Sequence, residues 1–527
     1  MQTQTSSSAS RGGVARSTLV VMGGLALSIV IGLVRQRVVA TSFGTGSAYD
    51  AYSAANGIPE LLFTMLSGGA LAFAFIPVYT ELLQQDHRQK SGELFSQVVN
   101  TILLLTMAAS LLLALTAPTL VRARWGIAPS FDPDLQALTA GIMRVLLFST
   151  IIFAVSSILS GTLQAHQHFL LPALAPSMYS LGIIGGALLL SPRMGIYGLA
   201  WGAVAGSLLH LVIQLPGAFR FHIHWSPVLG WRNPDLQRVA VLMAPRVLDL
   251  LMARASIDWI NANLGSGLGE GRVSALRYAF QLMNTPWTLI GTAIGIAVFP
   301  TMAALAARRD LNAQREATHG ALRAILSLAV PAAAALLLLG RPVIGILFEG
   351  GEFTAESTEL VYFALQFYVV ALISQSMLEV VVRAFAAQQD TLTPLLVSFF
   401  TTAVNIGLAI WLSRPRSMGG LEHGGLALAN GLAVLLEATI DLVILQRRGA
   451  AQLRRILLDF ARALAASAGM ALAIWLALAW LQPGRLASIA LGALVGGISY
   501  LALALLLGLK EVRELPRALL QGLTRKE

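Results

Sequence analysis

Apolar residues recur along this chain in blocks of about twenty, the length a helix needs to cross the hydrocarbon core of a bilayer. Fourteen such blocks can be read, near 18–40, 53–80, 95–117, 137–163, 170–190, 196–217, 237–263, 275–303, 319–340, 358–386, 392–412, 424–445, 459–481 and 486–509. The pattern predicts an all-α polytopic membrane protein. One stretch breaks it. From Ser28 to Thr80 two hydrophobic segments flank a small-residue turn at Gly44 to Ser47 and are interrupted by Arg35, Asp50, Pro59, Glu60 and Pro77. Charges and backbone breaks persist at membrane depth only where protein or a water-filled cavity covers them, so this stretch is expected to wall a cavity.

The blocks also repeat. Phe75-Ile76-Pro77 is echoed by Val298-Phe299-Pro300, Ala165-His166-Gln167 before Pro172 by Ala387-Gln388-Gln389 before Pro394, and Gly198-Leu199-Ala200 by Gly425-Leu426-Ala427. The offsets are 223, 222 and 227 residues. Such constant spacing predicts a duplicated six-span unit: an N-lobe over 1–232 and a C-lobe over 233–450, with 451–527 holding two further spans and a tail. Because six is even, the two halves run in parallel orientation. The joining stretch from Ala450 to Leu464 is basic and amphipathic, as expected of a segment at the cytoplasmic interface.

Composition agrees with lipid as the solvent. Of 527 residues 56% are hydrophobic and 12% charged, against about 25% charged in soluble domains. The polar, basic start has no cleavage site behind a short apolar core, so it reads as leading into an uncleaved first span. Cysteine is absent, which removes disulfides, thiolate metal sites and cysteine nucleophiles. The net charge of +10 matters through its placement. With both termini cytoplasmic, 22 of the 36 Lys and Arg fall in cytoplasmic segments, ten outside and four within spans, the asymmetry of the positive-inside rule.

Few residues in the spans carry chemistry. Span 7 holds Arg246, Asp249, Arg254 and Asp258, spaced i,i+3 and i,i+4 as two self-neutralising pairs. Each charge alone would cost about 2.5–3.5 kcal/mol at mid-membrane. Arg246 and Asp249 can snorkel to the cytoplasmic interface, whereas Arg254 and Asp258 lie deeper and are expected in a polar cavity. Span 8 carries Arg277, then Gln281 and Asn284 on one face ahead of Pro286; these suit either substrate contact or hydrogen bonding between helices. Glu379 and Arg383 in span 10 are spaced i,i+4 as an internal pair. Glu60, Arg246, Asp249, Arg277, Glu379 and Arg383 are thus candidates for gating or packing charges. His222 and His224 lack a carboxylate partner for a metal, no phosphate-binding glycine loop occurs, and no nucleophile stands beside a base. A non-enzymatic protein is expected, without metal, cofactor or nucleic acid.

In order along spans 1 to 12 stand Gly32-Leu33-Val34-Arg35, Phe43-Gly44, Tyr49-Asp50-Ala51-Tyr52, Gly69 with Ala74-Phe75-Ile76-Pro77, Ala175-Pro176, Gln214-Leu215-Pro216, Phe348-Glu349-Gly350-Gly351-Glu352-Phe353-Thr354, and Gln389-Asp390 with Thr393-Pro394. Together they resemble the MurJ (MviN) family of the multidrug/oligosaccharidyl-lipid/polysaccharide exporter superfamily. The resemblance implies a flippase for lipid II, the undecaprenyl-diphosphate-linked peptidoglycan precursor, working by alternating access with a cationic cavity between two lobes and a tail groove on spans 13 and 14. It implies as partners that lipid-linked precursor and membrane lipid, with either a coupling ion or the membrane potential as the driving force. This chain departs where the family places cavity charges: Ile29 in span 1, Phe63 in span 2, and Gln281 and Asn284 in span 8. Arg35 and Asp50 persist. On this reading the substrate contacts are Arg35, Asp50, Arg254, Asp258, Gln281 and Asn284, with span 7 supplying the missing positive charge. Other readings are an exporter of a different lipid-linked oligosaccharide or of drugs, a non-transporting scaffold for envelope assembly, and a membrane transferase.

Overall fold

A computed structural model describes residue 24 and residues 27–66, 69–85 and 88–509. The side chains of 66, 69–73, 88, 245–246, 248–250 and 252–256 fall outside that description. The described chain is helical, with one isolated bridge between Gly350 and Phe353. Among the described residues, eleven helices are long and apolar enough to cross a membrane. The first, second and seventh of the fourteen expected spans are not among them. The first two include undescribed residues, and the seventh packs four charges into thirteen residues.

Contacts divide the chain into two compact units: one through Glu270 with Gly350–Phe353, the other from Gly271 to Glu349 and from Thr354 onward. In the first unit α1 spans 27–43, followed by α2 (Ser47–Leu66), α3 (Gly69–Gln84), α4 (Arg88–Arg122), α5 (Pro133–Ala165), α6 (Leu170–Gly185), α7 (Ser191–Met194), α8 (Ile196–Val212), α9 (Leu215–Arg220), α10 (Pro234–Arg254) and α11 (Ile260–Gly265). Helix α5 is central and packs on α2, α4 and α8, while α6 lies on α8. A core of Phe75, Val78 and Tyr79 meets Leu94, Val98, Ile158, Val239 and Met243, so the start of the seventh span is buried with this unit. Gln214, in the Gln-Leu-Pro motif, ties α8 to α5: its amide donates to Ser156 Oγ (2.9 Å) and its carbonyl accepts from Ser160 Oγ (2.7 Å).

The second unit holds α12 (Arg272–Trp287), α13 (Ala293–Ala307), α14 (Leu311–Phe348), α15 (Ala355–Ala387), α16 (Leu392–Leu412), α17 (Glu422–Arg447), α18 (Leu453–Leu481) and α19 (Arg485–Leu506). Here α15 is central, on α12, α14 and α17, and α16 lies on α17. That is the packing scheme of the first unit, helix for helix. Local geometry repeats as well. Helices α5 and α15 end in a non-glycine left-handed residue, Gln167 (φ 58°) and Gln389 (φ 60°). In both corners the next amide reaches back to close the end, His168 to the Leu163 carbonyl (2.9 Å) and Asp390 to that of Phe385 (3.1 Å). Gly198 and Gly425 each lie where a Cβ would collide with backbone, at 2.3 Å from Ser191 N and 2.1 Å from the Leu412 oxygen.

The two corners are clamped by different chemistry. In the first, Phe221 packs on His166 and His168, with ring centroids 4.8 and 5.7 Å apart. Burial and the Arg220 charge hold His168 below the ordinary histidine value. In the second, Asp390 accepts from the Thr393 amide (3.0 Å) and hydroxyl (2.6 Å) and pairs with Arg448 (2.7 Å), whose guanidinium covers Phe385. Burial would raise Asp390, but the Thr393 hydrogen bonds and Arg448 outweigh it and hold the carboxyl at about 2, against 3.8 ordinarily. A depressed carboxyl contributes stability that is present above its unfolded value and lost as pH falls through the folded one. Asp390→Asn should therefore lower stability at neutral pH by about 1 kcal/mol and by much less near pH ~2. Thermal unfolding of the purified protein at both pH values checks this; an equal loss at both would mean that the contact is not ionic.

The stretch from Ala450 to Leu464 runs directly into the thirteenth expected span. It forms the lead-in and first turns of α18, which continues to Leu481. Its polar residues bind α14, through His319 to Asp459 (2.8 Å) and Arg455 to Glu316 (2.7 Å). Helices α18 and α19 pack on each other and on α14.

Candidate functional site

The turn between α1 and α2 is built by residues far apart in sequence. Gly44 takes a left-handed backbone (φ 56°), and a Cβ there would lie 2.2 Å from the Glu352 carbonyl oxygen. The Glu352 amide donates to the Thr41 carbonyl (2.9 Å), and Gly351 (φ 55°) would drive a Cβ to 2.2 Å from that same oxygen. The Phe-Gly and Gly-Gly-Glu-Phe motifs are thus two halves of one joint. Glu270 completes it by accepting from the Ser47 amide (2.8 Å) at the start of α2, where a carboxylate meets the positive end of the helix dipole. Glu270 and Thr41 were not anticipated. Their partners are backbone groups, which leave no signature in side-chain spacing.

Asp50 stands one turn into α2 and is buried, and Tyr49 and Tyr52 stack at 5.8 Å beside it in sequence. Arg35 is half-buried on α1, eight residues before Phe43. At 1.5 Å per residue Arg35 lies about 12 Å from the turn and Asp50 about 4.5 Å, so they stand at different distances from it. Further along α2, Glu60 accepts from Asn56 (2.9 Å).

The seventh span is not one regular helix. Helix α10 ends at Arg254, a π-helical turn covers Ala255–Trp259, and α11 follows. Asp258 sits on this turn, half-buried against Gly57 of α2, in a cleft with Ala54, Ile58, Leu61, Ile127 and Ala262. Its free volume is about 10 Å³, the space of about one water. Past the turn, Trp259 Nε1 and Asn263 Nδ2 both donate to the Gly126 carbonyl, at 3.0 and 2.6 Å, which fastens α11 to the loop between α4 and α5. The side chains of Arg246, Asp249 and Arg254 lie outside the described residues.

In the second unit Arg277, Gln281 and Asn284 are half-buried at i, i+4 and i+7 along α12. Pro286 follows, and the helix continues through a further π-helical turn at Thr288–Thr292 into α13. Thr292 donates to Glu379 (3.1 Å), and Glu379 pairs with Arg383, whose guanidinium lies over Gly295. Such π-helical turns often mark functional segments. At the end of α14, burial would raise Glu349, yet hydrogen bonds from Arg485 and Thr358 hold it below the ordinary carboxylate range.

Comparison with known proteins agrees with this geometry. The sequence profile of the family "Lipid II flippase MurJ" matches residues 39–495. The chain is 29% identical over 445 residues to the lipid II flippase MurJ of Burkholderia cenocepacia, covering 82% of this chain and 84% of that one. A solved structure described as lipid II flippase MurJ in an inward closed conformation superimposes with a TM-score of 0.77 at 21% identity, over 92% of this chain and 98% of that one. An inward-facing multidrug resistance MATE transporter of the MOP superfamily gives 0.65 at 15%, over 82% and 98%. These two likenesses concern the fold alone.

Proposed function

We propose that this chain, which belongs to the lipid II flippase MurJ family, moves lipid II from the inner to the outer leaflet of the bacterial inner membrane. It is a multi-pass transporter and not an enzyme. The observation that carries this reading is the family match across residues 39–495. A diphosphate head group cannot cross hydrocarbon unaided, so a cationic, hydrated path has to replace its water while the polyprenyl tail stays in lipid. Moving about two negative charges outward across ~100 mV, inside negative, gains roughly 5 kcal/mol, so the potential can drive export without ATP. Arg254 would bond the diphosphate and Asp258 would hold it between turnovers. Gln281 and Asn284 would contact the head group, and Arg35 and Asp50 would act near the outer end of the path. The duplicated halves, 1–232 and 233–450, would rock against each other, with Arg246, Asp249, Arg277, Glu60 and the Glu379–Arg383 pair as gating or packing charges and either the potential or a coupling ion setting the direction. Both termini would face the cytoplasm.

Depletion of the protein in its host tests the function, because lipid II should then build up in the inner leaflet. Accumulation of a different lipid-linked precursor would overturn the substrate. In the same assay Arg35→Gln and Asp50→Asn should each impair export, and wild-type export in both would remove those residues from the path. For orientation, a cysteine replacing Leu523 should resist an impermeant thiol reagent in intact cells while one replacing Trp125 reacts. Reaction at 523 would reverse the topology.

A further inference from the structure

Asp441 is the most isolated acid among the described residues. It lies on α17, six residues and about 9 Å before the end of that helix, with no exposed surface. Neither carboxyl oxygen has a hydrogen-bond partner. No charge on α17 or the elements packed against it is bonded to Asp441: Arg447 and Arg454 are exposed, Arg277 of α12 has contacts of its own, and the others are engaged elsewhere. On α15, Glu379 and Arg383 hold each other. On α16 there is no charged residue. On α12, Arg272 turns to Glu422 at the opposite end of α17, and on α18 Asp459 is taken by His319 and Arg462. Glu437, one turn before Asp441, accepts from Thr401 of α16. Arg448 is spent on Asp390, whose own carboxylate is the charge that acts on Asp441, with the same sign.

We propose that Asp441 is a proton-binding site inside the second unit, occupied in this conformation and emptied when the packing of α15 on α17 opens. An ionised carboxylate buried in a helix pair with no protein donor is strongly disfavoured, and such a group takes up a proton instead. The neutral carboxyl removes that penalty. Because water reaches Asp441 only if the unit loosens, proton release and a change of packing are one event. In the transport cycle this ties the state of the unit to pH, a consequence that rests on the flippase reading above.

Infrared difference spectra of the purified full-length protein, wild type minus Asp441→Asn, test the site without substrate. The wild type should show the carbonyl band of a protonated carboxyl at neutral pH, lost only in alkaline buffer, and the variant should lack it. No such difference at neutral pH would overturn the proposal. If Asp441→Asn fails to accumulate, Asp441→Ser supplies the subtraction. In proteoliposomes with a fluorescent polyprenyl-diphosphate-linked substrate, the variant should lose the pH dependence of the wild-type flipping rate. An unchanged pH profile would overturn the coupling. If the wild type moves no substrate, the flippase reading fails while the infrared result still decides the proton site.

Discussion

Cells in which Arg254 is replaced by alanine are expected to accumulate lipid II inside while the protein stays at its normal level in the membrane. An anionic substrate needs cationic donors, yet the positions where the family resemblance expects cavity charge hold Ile29, Phe63 and Gln281. Arg254 stands at the end of α10, directly before the π-helical turn that carries Asp258. A planar guanidinium bonds two oxygens of a diphosphate at once, and loss of one partner of such a charge pair costs about 2–5 kcal/mol, roughly 30-fold or more in binding. Arg254→Lys keeps the charge without the fork and should restore export only in part. Asp258→Asn should be milder, since it frees the arginine and weakens mainly the empty state. The opposing view is a packing pair in a scaffold that moves nothing. Arg254→Ala would then lower abundance, and Arg254→Leu with Asp258→Leu would recover it. Wild-type export by that double variant would remove Arg254 from the path.

Gly44→Ala should be among the most damaging single-methyl changes in the first unit. The left-handed backbone strains any Cβ, and here the methyl would also overlap the Glu352 carbonyl oxygen at 2.2 Å. Strain and overlap together amount to roughly 2–6 kcal/mol, enough to remove folded protein from the membrane. Gly351→Ala meets the Thr41 carbonyl at the same distance and should cost as much. The double variant should lose less than the sum, because both changes open one joint. Gly32→Ala is the control: no atom lies within 4 Å of its Cβ, and added helix propensity should leave abundance unchanged or raised. Membrane abundance and thermal unfolding report all four. Normal levels of Gly44→Ala would mean that the joint does not hold the turn.

The duplication shows how far the sequence reaches. Three echoed tripeptides lead to the expectation of two six-span halves, and the matching corners at Gln167 and Gln389 follow from helix ends with the same local chemistry. Hydropathy is local too, so the apolar spans are legible one at a time, and the i,i+4 pair of Glu379 and Arg383 needs nothing beyond a regular helix to meet.

Span 7 marks the limit. Spacing treats Arg254 and Asp258 as stacked neighbours, but the π-helical turn between them inserts a residue into the helical repeat and changes their register. No residue type encodes that turn. Contacts with α2 and α3, and the hydrogen bonds of Trp259 and Asn263 to Gly126, bury this span with the first unit although the repeat counts it with the second half. Likewise Gly44 and Gly351 are ordinary glycines until the chain brings Thr41 and Glu352 within hydrogen-bonding distance, and Asp441 is an ordinary acid until packing buries it with no donor for either oxygen. Hydrophobic length and charge are properties of single residues and their neighbours along the chain, and composition fixes them. The company a polar group keeps depends on segments hundreds of residues away, so tertiary packing alone decided it.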